Sequence, residues 1–131
     1  MAIPLGNRPL PGYPMPDGDK YVSIFDHSGP ASYTQFNSTT GAGGDVLKAN
    51  GNGLNFGGID GLNADVDTSG QWAVYPVNFL GGYGNSVPQV TLVWYSLVTA
   101  TVGGQSQTAG TQAVAGTNLS TFSTRLAGFF V

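Results

Sequence analysis

The clearest alternation of apolar and polar positions lies at residues 87–102, VPQVTLVWYSLVTATV. As a strand it sets Val90, Leu92, Trp94, Val98, Ala100 and Val102 on one face, and Gln89, Thr91, Val93, Tyr95, Leu97, Thr99 and Thr101 on the other. The first face is predicted to be core. The second is polar at its ends and apolar at its middle, at Val93, Tyr95 and Leu97, which calls for a second packing partner: another strand layer or another subunit. Unbroken extension over this stretch would reach roughly 50 Å, long for a chain of this size, so a bend is expected between Ser96 and Thr99.

Shorter alternating runs flank it. KYVSIFD (20–26) fits a strand with Tyr21, Ser23 and Phe25 on one side and Val22 and Ile24 on the other, and GPASYTQF (29–36) follows a Gly-Pro turn. NSTTGAGG (37–44) is a loop by composition, and DVLKANG (45–51) fits a short strand or one helical turn. Residues 51–70, dense in Gly, Asn and Asp, are expected to form hairpins and loops. QWAVYPVNF (71–79) alternates, but Pro76 confines it to a sheet edge or a bulge. GGQSQTAGTQ (103–112) reads as a hairpin loop, AVAGTNLS (113–120) as a strand with a turn, and TFSTRLAGFFV (121–131) as a last strand that must be paired and covered. Seven or eight short strands between closely spaced turns predict an all-β single domain over 20–131, a β-sandwich or small barrel.

Residues 1–19 differ. Five of the eight prolines fall in MAIPLGNRPLPGYPMP, and Pro4, Pro9, Pro11, Pro14 and Pro16 exclude helix and central strand. Ile3, Leu5, Leu10 and Tyr13 lie beside or between them, so the segment is expected to be an extended arm that lies on a surface, with a disordered tail as the alternative. It lacks the basic start and apolar run of a secretory signal.

Composition sharpens this picture. Only 8% of residues are charged, every acid is an aspartate, and the net charge is -3; ordinary soluble domains carry roughly 25% charged residues. Scarce glutamate and lysine argue against exposed helices. Arg8, Lys20, Lys48 and Arg125 stand singly, giving no footprint for nucleic acid, and no apolar run approaches the roughly 18 residues of a membrane span. With no cysteine there is no disulfide, thiol nucleophile or thiolate metal site. So little charge leaves two readings, burial of part of the surface in an assembly or a monomer coated with Ser, Thr, Asn and Gly.

Catalytic signals are weak, and no enzyme activity, cofactor or metal is expected. Asp26, His27 and Ser28 are adjacent, yet strand neighbours point to opposite faces, so the stretch is read as a turn closing the first strand. Asn63, Asp65, Asp67 and Ser69 have calcium-loop spacing without the glycine or the final acid, so a solvated turn is expected there, with a weak calcium site of another type as the alternative. Trp72, Tyr75, Tyr83 and Tyr95 offer a sugar-binding surface, although aromatics on strands more often serve core or interface.

The segments SGPASYTQ (28–35), VPQVTLVWY (87–95) and AGTNLSTFSTRLAGFFV (115–131), in this order, resemble the β-rich decoration or cement proteins of tailed-bacteriophage capsids. The resemblance implies a virion protein, assembled in the host cytoplasm, that trimerises, binds the major capsid protein on the outer capsid surface and stabilises the mature shell. Its contacts are expected at Ile3, Leu5, Leu10 and Tyr13 on the arm and at Val93, Tyr95 and Leu97 on the sheet. The alternative is a glycan- or receptor-binding module of a phage fibre or spike, with Trp72 and nearby tyrosines as the platform.

Overall fold

The computed structural model describes residues 21–48, 59–80 and 89–130. The arm, with Ile3, Leu5, Leu10 and Tyr13, lies outside the described residues, as does Tyr83. Eight strands are described: β1 (Tyr21–Ser28), β2 (Asp45–Lys48), β3 (Ile59–Ala64), β4 (Trp72–Leu80), β5 (Gln89–Ser96), β6 (Ala100–Val102), β7 (Gln105–Gln107) and β8 (Ser123–Phe130). No helix occurs among the described residues. Two antiparallel three-stranded sheets, in the orders β1-β8-β3 and β2-β5-β4, are joined by a β6-β7 hairpin, and none of the sheets closes on itself. The all-β expectation therefore resolves to a small sandwich.

The core is the space between the sheets. Phe25, Leu62 and Leu126 come from the first sheet, and Leu47, Trp72, Val74, Val90, Leu92 and Trp94 from the second; Tyr33, Ala113 and Leu119 enter from connecting segments. These strand residues alternate with outward ones, as burial of one sheet face requires. Trp72 meets Trp94 and Phe122 in edge-to-face contacts, with ring centroids 6.4 and 5.7 Å apart.

β5 is central. β4 pairs along one edge, with Ala73 opposite Tyr95 and Tyr75 opposite Val93. On the other edge β2 pairs with its first half, and the loop strand 111–113 continues the ladder: Ala113 N–H donates to Trp94 O and Ser96 N–H to Thr111 O. β8 is central in the first sheet, flanked by β1 and β3. The strongly apolar last strand is thus covered on both edges, which removes its aggregation hazard.

Pro76 lies on edge strand β4, beside a register shift between Val77 and Leu80 where Asn78 has φ 58°. The bond from Leu97 N–H to Gln71 O makes the odd-numbered β4 residues the ladder donors. Pro76 therefore sits where no donor is needed, which is why a strand can tolerate it.

Several expectations need correction. The run 87–102 breaks after Ser96, as its length required, but among the described residues β6 then pairs only with β7, and Val98 and Ala100 leave the core. The glycines of 103–112 make a tight turn, Gly103 and Gly104 at φ 62° and 84°, the left-handed pair of a two-residue hairpin, and Gln105–Gln107 is a strand. Residues 113–120 and 29–36 form no strand; their backbones bond to each other, Tyr33 N–H to Thr117 O and Gly116 N–H to Tyr33 O. The span 51–70 holds a six-residue strand, β3. Asp26, His27 and Ser28 lie inside β1 and do not form a turn, because β8 pairs with them through Arg125, Thr124 and Ser123.

Candidate interaction face

Two parts of the molecule concentrate chemistry: a buried polar cluster between the sheets and the outward face of the second sheet. In the cluster, strand alternation turns His27 inward and leaves Asp26 and Ser28 exposed. His27 Nε2 lies 2.7 Å from Asp45 Oδ2, and Trp94 Nε1 donates to the same oxygen at 3.0 Å. His27 belongs to the first sheet while Asp45 and Trp94 belong to the second, so the carboxylate ties the two layers together. Beside it the Tyr33 hydroxyl donates to Gln112 Oε1 at 2.7 Å and accepts from Trp94 N–H at 3.4 Å. Burial pushes the Tyr33 phenol up to about 12; the Trp94 N–H pulls the other way, and the nearby Asp45 charge adds to the rise.

A histidine held by an aspartate resembles the base and orienter of a hydrolytic relay, so the nucleophile position decides the matter. Thr124 stands opposite His27 on β8, but its hydroxyl donates to Asp65 O at 2.6 Å, and Ser28 faces the other side of the strand. His27, Asp45 and Thr124 are all buried. The cluster has the geometry of a clamp.

The calcium-like spacing resolves similarly. Asp67 Oδ1 accepts from Gln71 N–H and Trp72 N–H at 2.8 and 2.7 Å, and Oδ2 from Ser69 N–H and Ser69 Oγ–H at 3.0 and 2.5 Å. Both oxygens face donors, the opposite of a cation's requirement, and Asp67 is buried where a solvated turn was expected. It shapes the turn into β4 and thereby sets Trp72 in the core.

The outward face of the second sheet carries Ala73, Tyr75 and Val77 on β4 opposite Tyr95, Val93 and Thr91 on β5, with Val46 of β2 beyond Thr91. One end is roofed by the chain itself. Gly44, at φ 81°, is so close to the Thr91 side chain that a Cβ there would lie 2.4 Å from its methyl, with Phe36 Cβ 3.5 Å away. The other end is open: Tyr75 is 56% exposed and Leu97 45%, while Tyr95 is half-buried. The Tyr75 and Tyr95 rings meet edge-to-face at 5.5 Å.

The structure thus brings Tyr95 and Leu97 together at one open end and places Val93 beneath, 1% exposed, as support. Tyr75, named in the sequence only among the candidate sugar-binding aromatics, shares this face; its register opposite Val93 depends on the pairing of β4 with β5. Trp72 is fully buried, so it leaves the sugar platform: it sits on the inward side of β4, with Tyr75 on the outward side. Known proteins add no further guide. The chain matches no family model, no curated protein and no solved structure.

Proposed function

We propose that this is a structural protein that holds other proteins through the open end of the β4–β5 face, and that its partner is the shell of a tailed bacteriophage, where it acts as a decoration protein. The observation that carries the reading is the outward face with Tyr75, Tyr95 and Leu97: the two tyrosine rings in edge-to-face contact, and Tyr75 and Leu97 exposed. Interface centres are enriched in aromatics and depleted in charge, and a chain with 8% charged residues fits that pattern. The shell as partner rests on the resemblance of residues 28–35, 87–95 and 115–131 to decoration proteins. Such a protein stabilises the mature shell by mass action, because it buries this face only where shell subunits are correctly spaced.

The test is co-sedimentation with shells assembled from the major capsid protein of the tailed bacteriophage that this reading takes as partner. Wild-type protein pellets with the shells, and Tyr75→Lys combined with Leu97→Lys leaves it in the supernatant although folded. Equal pelleting of both proteins would refute the face, and failure of the wild type to pellet would refute the partner. Saturable quenching of tryptophan fluorescence by sugars in place of shell binding would favour the glycan reading.

A further inference from the structure

Among the described residues the two main sheets have four edge strands, and three carry features that discourage pairing with another chain. β2 is only four residues long and ends in Lys48. β3 has a register shift between Ile59 and Gly61. β4 has Pro76 and the kink at Asn78. Short length, lysine, proline and bulges are the means by which proteins blunt exposed edges. β1 has none of them. Its eight residues, YVSIFDHS, pair with β8 in unbroken register, and its one fixed charge, Asp26, is held by Arg125 Nε at 3.1 Å.

The ladder shows which β1 groups remain open. Gly29 N–H donates to Phe122 O in the register that continues β1–β8, so the odd-numbered β1 residues exchange bonds with β8. Asp65 N–H donates to Arg125 O on the other side of β8, which fixes the same parity independently. The backbone groups of Val22, Ile24, Asp26 and Ser28 therefore point away from the sheet, and β1 has no second strand partner among the described residues.

We propose that β1 is a self-association edge, pairing antiparallel with β1 of a second copy of this chain to make one six-stranded sheet. An edge needs an extended partner with free N–H groups, and the chain's own arm, with its five prolines, is poorly supplied with them. A second β1 supplies them at the matching spacing. Two-fold pairing centred on Ile24 sets that side chain, 39% exposed, against its counterpart. It also sets each Asp26 opposite Val22, so the two carboxylates do not face each other, and each keeps its own Arg125. The arrangement is isologous and closes at two copies. It uses the opposite sheet from the Tyr75–Leu97 face, so it stands or falls separately from the proposed function, and it predicts a dimer where the resemblance implies a trimer.

The test is sedimentation equilibrium of the full chain up to about 100 µM, with circular dichroism to confirm folding. The wild type reaches twice the 13.5 kDa chain mass. Ile24→Lys adds a charge to the edge, and Asp26→Pro removes an N–H that β8 does not use; each weakens self-association by at least about tenfold. Val66→Lys, another exposed apolar site, leaves the mass unchanged. In the dimer, the amides of Val22, Ile24 and Asp26 gain concentration-dependent protection from hydrogen exchange. A monomeric wild type, a trimer, or a dimer indifferent to the folded Ile24→Lys variant would overturn the proposal.

Discussion

The two faces of the β2-β5-β4 sheet treat aromatic side chains in opposite ways. Inside, Trp94 is fully buried and its N–H is bound by the Asp45 carboxylate, which also holds His27 of the opposing sheet. Outside, Tyr75 and Tyr95 touch edge-to-face with Tyr75 largely open to solvent. The inner arrangement satisfies its polar groups and locks the layers. The outer one keeps apolar area in reserve. The residues with a catalytic look, His27 and Asp45, are thus buried and bonded to each other, while Tyr75, an ordinary strand residue by sequence, is exposed.

If that division is right, inner substitutions cost stability and outer ones cost binding. The largest effect is expected from Asp45→Ala, which strips a shared acceptor from two buried donors; at about 1–3 kcal/mol for each donor left unsatisfied, about 2–6 kcal/mol of unfolding free energy is lost, read by urea denaturation. Next comes a contrast between the tryptophans. Trp72 Nε1 is buried without a hydrogen-bond partner among the described residues, whereas Trp94 Nε1 donates to a carboxylate. Trp94→Phe should therefore cost more than Trp72→Phe by about 1.5–3 kcal/mol, the worth of a bond to a charged group. Equal losses would show that the Asp45 contact adds nothing beyond packing.

Tyr33 gives a smaller effect with a pH signature. Its phenol is raised from 10.0 to about 12 in the fold, so the folded chain keeps that proton more tightly than the unfolded one. The stabilisation is complete below about pH 10 and disappears as pH rises through about 12. Tyr33→Phe should cost about 1 kcal/mol at neutral pH through the lost bond to Gln112, and should flatten the decline above pH 10. Smallest of all in stability is the outer pair: Tyr75→Lys and Leu97→Lys should each shift unfolding by about 0.5 kcal/mol or less, as exposed sites do, while removing binding.

Much of the fold was legible because period-two alternation and chain punctuation are local signals. The inward row Val90, Leu92 and Trp94, the break after Ser96 and the edge position imposed by Pro76 all follow from residue order. Residues 29–36 and 113–120 misled because they look extended but bond to one another as loops, a long-range choice invisible to a local pattern. The cluster was half legible. Alternation separated His27 from Asp26 and Ser28, but its partner Asp45 lies on the opposing sheet and no spacing announces it. Likewise, Leu97 and Tyr95 could be named from one strand, whereas Tyr75 joins them only through the β4–β5 register.

The central claim is that the Tyr75–Leu97 end of the sheet does the holding. Its most direct test is the shell co-sedimentation of wild type beside the Tyr75→Lys, Leu97→Lys double variant, with thermal unfolding measured on the same samples. Retained unfolding temperature with lost pelleting is the predicted result; undiminished pelleting by the folded double variant would contradict it.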